Sequence, residues 1–412
     1  MYNKENKNYN QALTILSTLF FIWGLITVLN FMLAEKFMII FSLTLQESYF
    51  LNIAFFSAFL LFSYPSGKLI DIIGYKNGMV TGVLIGATGC LLFCPAAAYR
   101  SFELLVAALF ILGSGITLLQ VAANPYVILL GPRGLGASKL TLVQAFNSLG
   151  TFLAPLLATG FFMKIADVTP SSLKTMPSEE RILALINYVQ MPYLIVGIAF
   201  ILLALLIGFS EIPVLDTSGF QPLIKETVPV RKNVLQVPHV WMGAVAIFLY
   251  VGSEVAIGQY LQKKAELDST LTTLVTFYWG AAMMGRFMGT FLLRFLSPRK
   301  SSAIFSGSAI LFLIVYIFFS DNNSMLWALA LIGFSNSILF PSIFTMGIDG
   351  MGEDAEESSA FLNMAIVGGA VFPIIFFSIP ENINFILPII SYCFIIYYGL
   401  KGSKYIKRTN FY

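Results

Sequence analysis

Along this chain, stretches of about 20 apolar residues, the length a helix needs to cross a bilayer's hydrocarbon, alternate with short polar segments. Twelve such stretches are read: Leu13 to Leu33, Tyr49 to Ile70, Met79 to Ala98, Leu104 to Leu130, Leu140 to Met163, Val189 to Phe209, Val240 to Leu261, Leu271 to Phe295, Ala303 to Phe319, Met325 to Thr345, Ala360 to Ile379 and Ile383 to Leu400. Six precede and six follow the longest polar segment, Glu211 to Pro238. It carries Pro213, Pro222, Pro229 and Pro238 with Lys225, Arg231 and Lys232, the composition of a connector. The pattern predicts an all-α membrane protein of twelve transmembrane helices in two pseudo-symmetric bundles, residues 1–210 and 239–412, joined by a linker over 211–238.

Composition agrees with that pattern. Of 412 residues, 58% are hydrophobic and 11% charged, against roughly 25% charged in a soluble domain. With a mean hydropathy of +0.83, no layered soluble fold could cover so much apolar surface, which excludes a soluble enzyme. The net charge of +3 is too balanced for nucleic-acid binding. Three cysteines and one histidine leave little for disulfide frameworks or metal sites. No cofactor and no metal are expected, and no span pairs a nucleophile with a base, so the chain does not read as an enzyme. Cys90 and Cys94, four apart, read as small buried thiols.

The N-terminus MYNKENKNYN is short and polar, and a full-length apolar stretch follows it without a small-residue cleavage site. No removed signal peptide is expected. With the N-terminus inside, 17 of the 24 Lys and Arg residues lie inside and 7 outside, which places both termini in the cytoplasm. One inside segment departs from the rule: Asp349, Glu353, Asp354, Glu356 and Glu357 have no basic residue among them. His239, beside Trp241 at the start of a span, reads as an interfacial residue without chemistry.

Twelve helices as six plus six suggest a transporter of repeated bundles with a binding site near the midplane. Between the second and third spans the chain reads Gly67-Lys-Leu-Ile-Asp71-Ile-Ile-Gly74-Tyr-Lys76. The equivalent place in the second half reads Gly285-Arg286-Phe-Met-Gly289, followed by Arg294, Pro298, Arg299 and Lys300. Gly67, Asp71, Gly74, Lys76, Gly285 and Arg286 are the gating candidates: glycines let helices approach while acid and base form contacts that break and reform. The repeated motif resembles the signature of the major facilitator superfamily.

Uncharged amides recur inside the spans. Gln120 and Asn124 are four apart ahead of Pro125, and Gln144 and Asn147 are three apart, so each pair shares a helix face. Amides donate and accept together, as sugar hydroxyls require; the alternative is that they tie helices together or satisfy the carbonyl freed by Pro125. Glu254, in Gly252-Ser253-Glu254, is the most conspicuous acid inside a span, and such a charge is costly unless paired, protonated or hydrated. Asn336 ahead of Pro341, and Asn363 before Gly368-Gly369, are further substrate-binding candidates. The run Gly131 to Lys139 lacks the Lys and Ser or Thr of a phosphate loop and reads as a turn.

The segments FFIWGLITVLN at Phe20, LLQVAANPYV at Leu118, QAFNSLG at Gln144, YVGSEVAIGQYL at Tyr250, GRFMGT at Gly285, NSILFPSIFTMGI at Asn336 and AIVGGA at Ala365 together resemble the fucose/glucose/galactose:proton symporter family of that superfamily, over nearly the whole chain. The Gln120 and Glu254 motifs look more like the bacterial glucose/galactose transporters than the fucose permease, which carries a glutamate where Gln120 stands. The resemblance implies the major facilitator fold and alternating access. It also implies a hexose or related sugar moved with a cation, usually the proton, across a bacterial inner membrane, by a protein that is a monomer. Gln120, Asn124, Gln144, Asn147 and Glu254 become the sugar or coupling residues, with the bilayer and the coupling cation as the other partners.

One position departs from the family. Relatives typically carry Leu-Asn-Asp in the first span, the aspartate being thought to hold the coupling proton, and here the segment is Leu29-Asn30-Phe31, with Glu35 one turn on. Coupling needs a group that changes charge in the cycle, and neither Phe31 nor Gln120 can titrate. Three readings stand: Glu254 couples, Glu35 couples, or the protein is an uncoupled facilitator. A transporter of another small polar solute and a non-transporting sugar receptor of the same fold are the remaining alternatives.

Overall fold

A computed structural model describes residues 2–130, 134–157, 177–213, 237–268, 271–319 and 325–404 together with residue 234. Helices are the only regular elements among them, as the apolar pattern requires. The first half holds α1 (Tyr2–Ile40), α2 (Leu45–Tyr99), α3 (Phe102–Leu129), α4 (Gly136–Leu156) and α5 (Ser178–Phe209). The second holds α6 (Pro238–Leu267), α7 (Thr272–Leu292), α8 (Pro298–Phe318), α9 (Leu326–Asn336), α10 (Leu339–Ile348), α11 (Ala355–Met364), α12 (Gly368–Ser378) and α13 (Ile386–Tyr397). Eight stretches are long and apolar enough to cross a membrane. Large apolar side chains such as Leu202, Leu205 and Leu206 of α5 stay exposed, as lipid contact demands and water would not permit.

Each of the twelve expected spans has its helix, with three corrections. The second and third spans are one continuous helix, α2, broken only at Gly74 (φ +78°), where a loop was expected; without a Cβ, glycine takes that left-handed backbone and the chain turns without leaving the helix. The tenth span is two helices, α9 and α10, parted at Ser337–Ile338. The eleventh is α11 and α12, joined by a 3-10 turn at Ala365–Val367. Hydropathy cannot show such breaks, since the interrupting residues are themselves apolar or small.

The described chain divides into two compact units. One comprises Met1–Ala123 with Val143–Pro213, the other Asn124–Leu142 with Val214–Tyr412. In the first, α2 and α3 meet backbone to backbone. A Cβ on Gly115 would collide with the Gly86 nitrogen, and one on Gly89 would stand 2.5 Å from the Leu112 nitrogen. Without a hydrophobic drive between helices in lipid, such close approach supplies the dispersion that holds them. Gly115→Ala is therefore expected to cost about 3 kcal/mol, read as a lowered melting temperature in detergent. Gly208→Ala on α5, where nothing lies within 4 Å of the added carbon, is expected to leave the melting temperature unchanged.

In the second unit α7 packs on α9, α6 on α12, and α8 on α9 and α13. The Gly285 and Gly289 pair seats α7 on the α9–α10 break: an added carbon at Gly285 would stand 2.5 Å from Ser337 Oγ, and one at Gly289 would collide with the Ile338 side chain. The Pro380 to Asn384 connection between α12 and α13 is short and clasped. Glu381 takes a 2.7 Å ion pair from Lys264 and a 2.6 Å hydrogen bond from the Tyr260 hydroxyl, and these hold its carboxyl below the usual range. A depressed carboxylate contributes stability that is present above its unfolded value and lost as pH falls through the folded one. The melting temperature should therefore fall on acidification below about pH 4, and Glu381→Gln should flatten that part of the profile.

Candidate functional site

In the second unit several buried polar side chains form a connected network around Glu254. Glu254, near the middle of α6, is 9% exposed, and an Arg286 guanidinium nitrogen of α7 lies 3.8 Å from its Oε1. That is charge pairing at more than hydrogen-bond distance, and Oε1 has no hydrogen-bond partner among the described residues. Arg286 is meanwhile held by its Nε, which donates to the Ser337 carbonyl (3.3 Å). This carbonyl is free because the residue four positions on is Pro341, which has no N–H to donate. The free carbonyl thus holds the arginine.

A second arm fixes the backbone beneath Glu254. The Tyr278 hydroxyl donates to the Glu254 carbonyl (2.8 Å), Asn336 Nδ2 donates to the Tyr278 hydroxyl (3.1 Å), and the Tyr392 hydroxyl donates to Asn336 Oδ1 (2.8 Å). Each hydroxyl proton has one destination, so the chain has a single direction from α13 through α9 and α7 to α6. All three side chains are buried. Asn336, expected to touch substrate, spends both amide atoms on tyrosines. Asn363 is also buried; its Nδ2 donates to the Ser359 carbonyl (2.9 Å), and its Oδ1 is without a partner among the described residues.

In α3, Gln120 and Asn124 are both buried. Both amide atoms of Asn124 lack hydrogen-bond partners among the described residues, so this side chain does not satisfy the carbonyl freed by Pro125. An unpaired buried amide costs about 1–3 kcal/mol, and a hydroxylated ligand supplies what it lacks. In α4, Gln144 is buried, while Asn147 Nδ2 donates to the Phe20 carbonyl of α1 (3.0 Å). That bond forms where Gly24 and Gly150 let α1 and α4 approach, so Asn147 ties two helices together.

The gating candidates are placed differently from the sequence expectation. Asp71 and Lys76 stand on α2 on either side of Gly74, and Lys76 Nζ donates to the Ser210 carbonyl at the end of α5 (2.8 Å), a lysine cap on a helix terminus. Gly67 is buried within α2. Arg286 lies inside α7, as the eighth expected span has it, and is paired with Glu254. The acidic segment is not without a base either: Arg299 stands 3.9 Å from Asp349. His239 is buried, with Nε2 3.1 Å from the Asp349 carbonyl. Glu35 is on α1, and its side chain, with those of Asn30 and Phe31, lies outside the described residues, as does that of Glu353.

Sequence reading missed Tyr278, Tyr392 and Ser337. A tyrosine in mid-span carries a hydroxyl that must find a partner, which is a signal for the first two; nothing local marks Ser337.

An all-helical, apolar chain that buries charged and amide side chains within its spans has the make-up of a multi-pass membrane protein. The chain belongs to the Major Facilitator Superfamily, whose sequence pattern it matches over residues 14–394. It is 38% identical to the glucose/galactose transporter of Brucella abortus, over 97% of this chain and 96% of that one. It is 30% identical to the L-fucose-proton symporter of Escherichia coli, over 89% and 86%. Its fold superposes on the crystal structure of the transporter FucP in the outward conformation with a TM-score of 0.82 and 27% identity, covering 95% of this chain and 98% of that one.

Proposed function

We propose that this protein is a secondary transporter that moves a hexose of the glucose, galactose or fucose class by alternating access, together with a proton taken up at Glu254. It sits as a monomer in a bacterial inner membrane with both termini in the cytoplasm, the orientation that the distribution of Lys and Arg favours. The sugar class rests on relatives that span nearly the full chain and are named for glucose, galactose and fucose. Gln120, Asn124 and Gln144 supply donors and acceptors for hydroxyls, and Glu254 contributes the group that can change charge.

The observation that carries the coupling role is the state of the Glu254 carboxylate. It is buried, paired to Arg286 only at 3.8 Å, and has an oxygen without a hydrogen bond. Such a group is poorly served as an anion in an apolar interior and well served by a proton or a sugar hydroxyl. Asn336 supports the framework, because both its amide atoms are spent on Tyr278 and Tyr392, and Asn147 spends its Nδ2 on the Phe20 carbonyl.

The test is uptake of labelled sugars by proteoliposomes with and without an inward proton gradient. Saturable uptake of glucose, galactose or fucose, concentrated above the external level by the gradient, supports the proposal. Equilibration regardless of the gradient would make the protein a facilitator, and uptake of a non-sugar alone would reject the sugar class.

A further inference from the structure

Away from the Glu254 network, the end of α13 and the start of α6 enclose a cavity of about 130 Å³ lined by Pro238, His239, Met242, Tyr397, Lys401 and Lys404, among others. Its shape comes from a π-helical turn, Tyr398–Gly402, that ends α13. The wider turn closes with Ser403 N donating to the Tyr398 carbonyl (2.7 Å) and Lys404 N to the Lys401 carbonyl (3.3 Å), so both lysines come onto the same cavity. Gly402 forms the floor: a Cβ there would stand 3.2 Å from Met242 Sδ. No carboxylate is paired with Lys401 or Lys404 among the described residues, and the neighbouring Asp349 carboxylate is already faced by Arg299 at 3.9 Å. Two exposed lysines therefore line one hollow, and neither has a carboxylate partner among the described residues. Pro238 opens α6 at the same place, adding the positive end of a helix dipole.

The surroundings are those of a membrane interface. Tyr397 lines the cavity and is half exposed, Trp241 in the first turn of α6 is 43% exposed, and Ile390 and Leu400 of the α13 segment are exposed apolar side chains. Aromatic residues of this kind settle at headgroup level. The sequence continues the charge, with Lys407 and Arg408 following Lys401 and Lys404 within eight residues; clusters of four or more basic residues just beyond a membrane helix attract anionic lipid.

We infer that this cavity is a binding site for the phosphodiester headgroup of an anionic phospholipid, held by Lys401 and Lys404 with its acyl chains along the exposed face of α13. The site is independent of the sugar reading and depends on the proposed orientation only for naming its leaflet. A headgroup here adds a link between α13 and α6, which also meet through Tyr398, whose hydroxyl donates to the His239 carbonyl (3.1 Å).

The experiment is native mass spectrometry and thermal unfolding of the full-length protein in detergent with phosphatidylglycerol or phosphatidylcholine added. Wild type should retain phosphatidylglycerol and gain melting temperature from it, with no gain from phosphatidylcholine. Lys401→Gln with Lys404→Gln should lower retention at least tenfold, whereas Lys401→Arg with Lys404→Arg and, separately, Lys300→Gln should keep it. Equal retention by the double glutamine variant, or equal loss in Lys300→Gln, would mean that diffuse basic charge is responsible and would overturn the site. Competition by inorganic phosphate or glycerol phosphate at comparable concentration would show a site for a soluble anion and would overturn the lipid assignment. If the glutamine variant fails to fold, phosphatidylglycerol retention by the arginine variant against titrated inorganic phosphate decides between the same readings.

Discussion

Glu254→Gln is expected to abolish concentration of sugar by a proton gradient while sugar counterflow persists. A potential of 100 mV offers about 2.3 kcal/mol per charge moved, which supports roughly fifty-fold accumulation. In the variant the internal and external sugar concentrations should simply equalise. The reason is local: glutamine fills nearly the same volume and still hydrogen-bonds, so the binding surface survives, but no proton is gained or lost in the cycle. The measurement is paired uptake and counterflow in proteoliposomes, with Glu35→Gln alongside. Accumulation that survives Glu254→Gln and disappears in Glu35→Gln would move the coupling group to α1.

Arg286→Met should have the largest effect on stability. Removing one member of a buried pair leaves the other charge uncompensated, at a cost of about 3–5 kcal/mol, and the side chains of Glu254 and Arg286 are only 11% and 13% exposed. The loss should be read as a fall in melting temperature in detergent at neutral pH. Glu254→Gln combined with Arg286→Met should restore most of it, since removing both charges also removes the desolvation penalty. The Ser337 carbonyl that accepts from Arg286 Nε then loses a donor, so recovery should be incomplete by about 1 kcal/mol. A double variant no more stable than Arg286→Met alone would show that the arginine acts through its packing and not through its charge.

The same two residues show how far the sequence could be read. Glu254 stood out because an acid amid twenty apolar residues has few explanations. Arg286 falls inside the eighth expected span, in a motif of two glycines and a base that reads as a gate. In the structure the glycines bring α7 against the Ser337–Ile338 break, where Arg286 Nε donates to the Ser337 carbonyl. Asn124 and Asn147 were equivalent as letters, being amides at helical spacing inside spans. The close approach of α1 and α4 at Gly24 and Gly150 brings the Phe20 carbonyl within reach of Asn147, whereas Asn124 is left without a partner among the described residues.

What the sequence by itself determined was membrane residence, the helical class, the approximate position of every span and the superfamily. All of these follow from properties read along the chain: hydropathy over twenty residues and glycine-bearing motifs at two equivalent positions. The tertiary structure alone decided which polar side chains pair with one another. Tyr392, Asn336 and Tyr278 are separated by 56 and 58 residues, and Glu254 and Arg286 by 32, so no periodicity relates them. Such pairings depend on helix breaks and glycine contacts that shift a side chain by a few ångströms, and in an apolar interior a few ångströms separate a satisfied polar group from one that awaits a ligand.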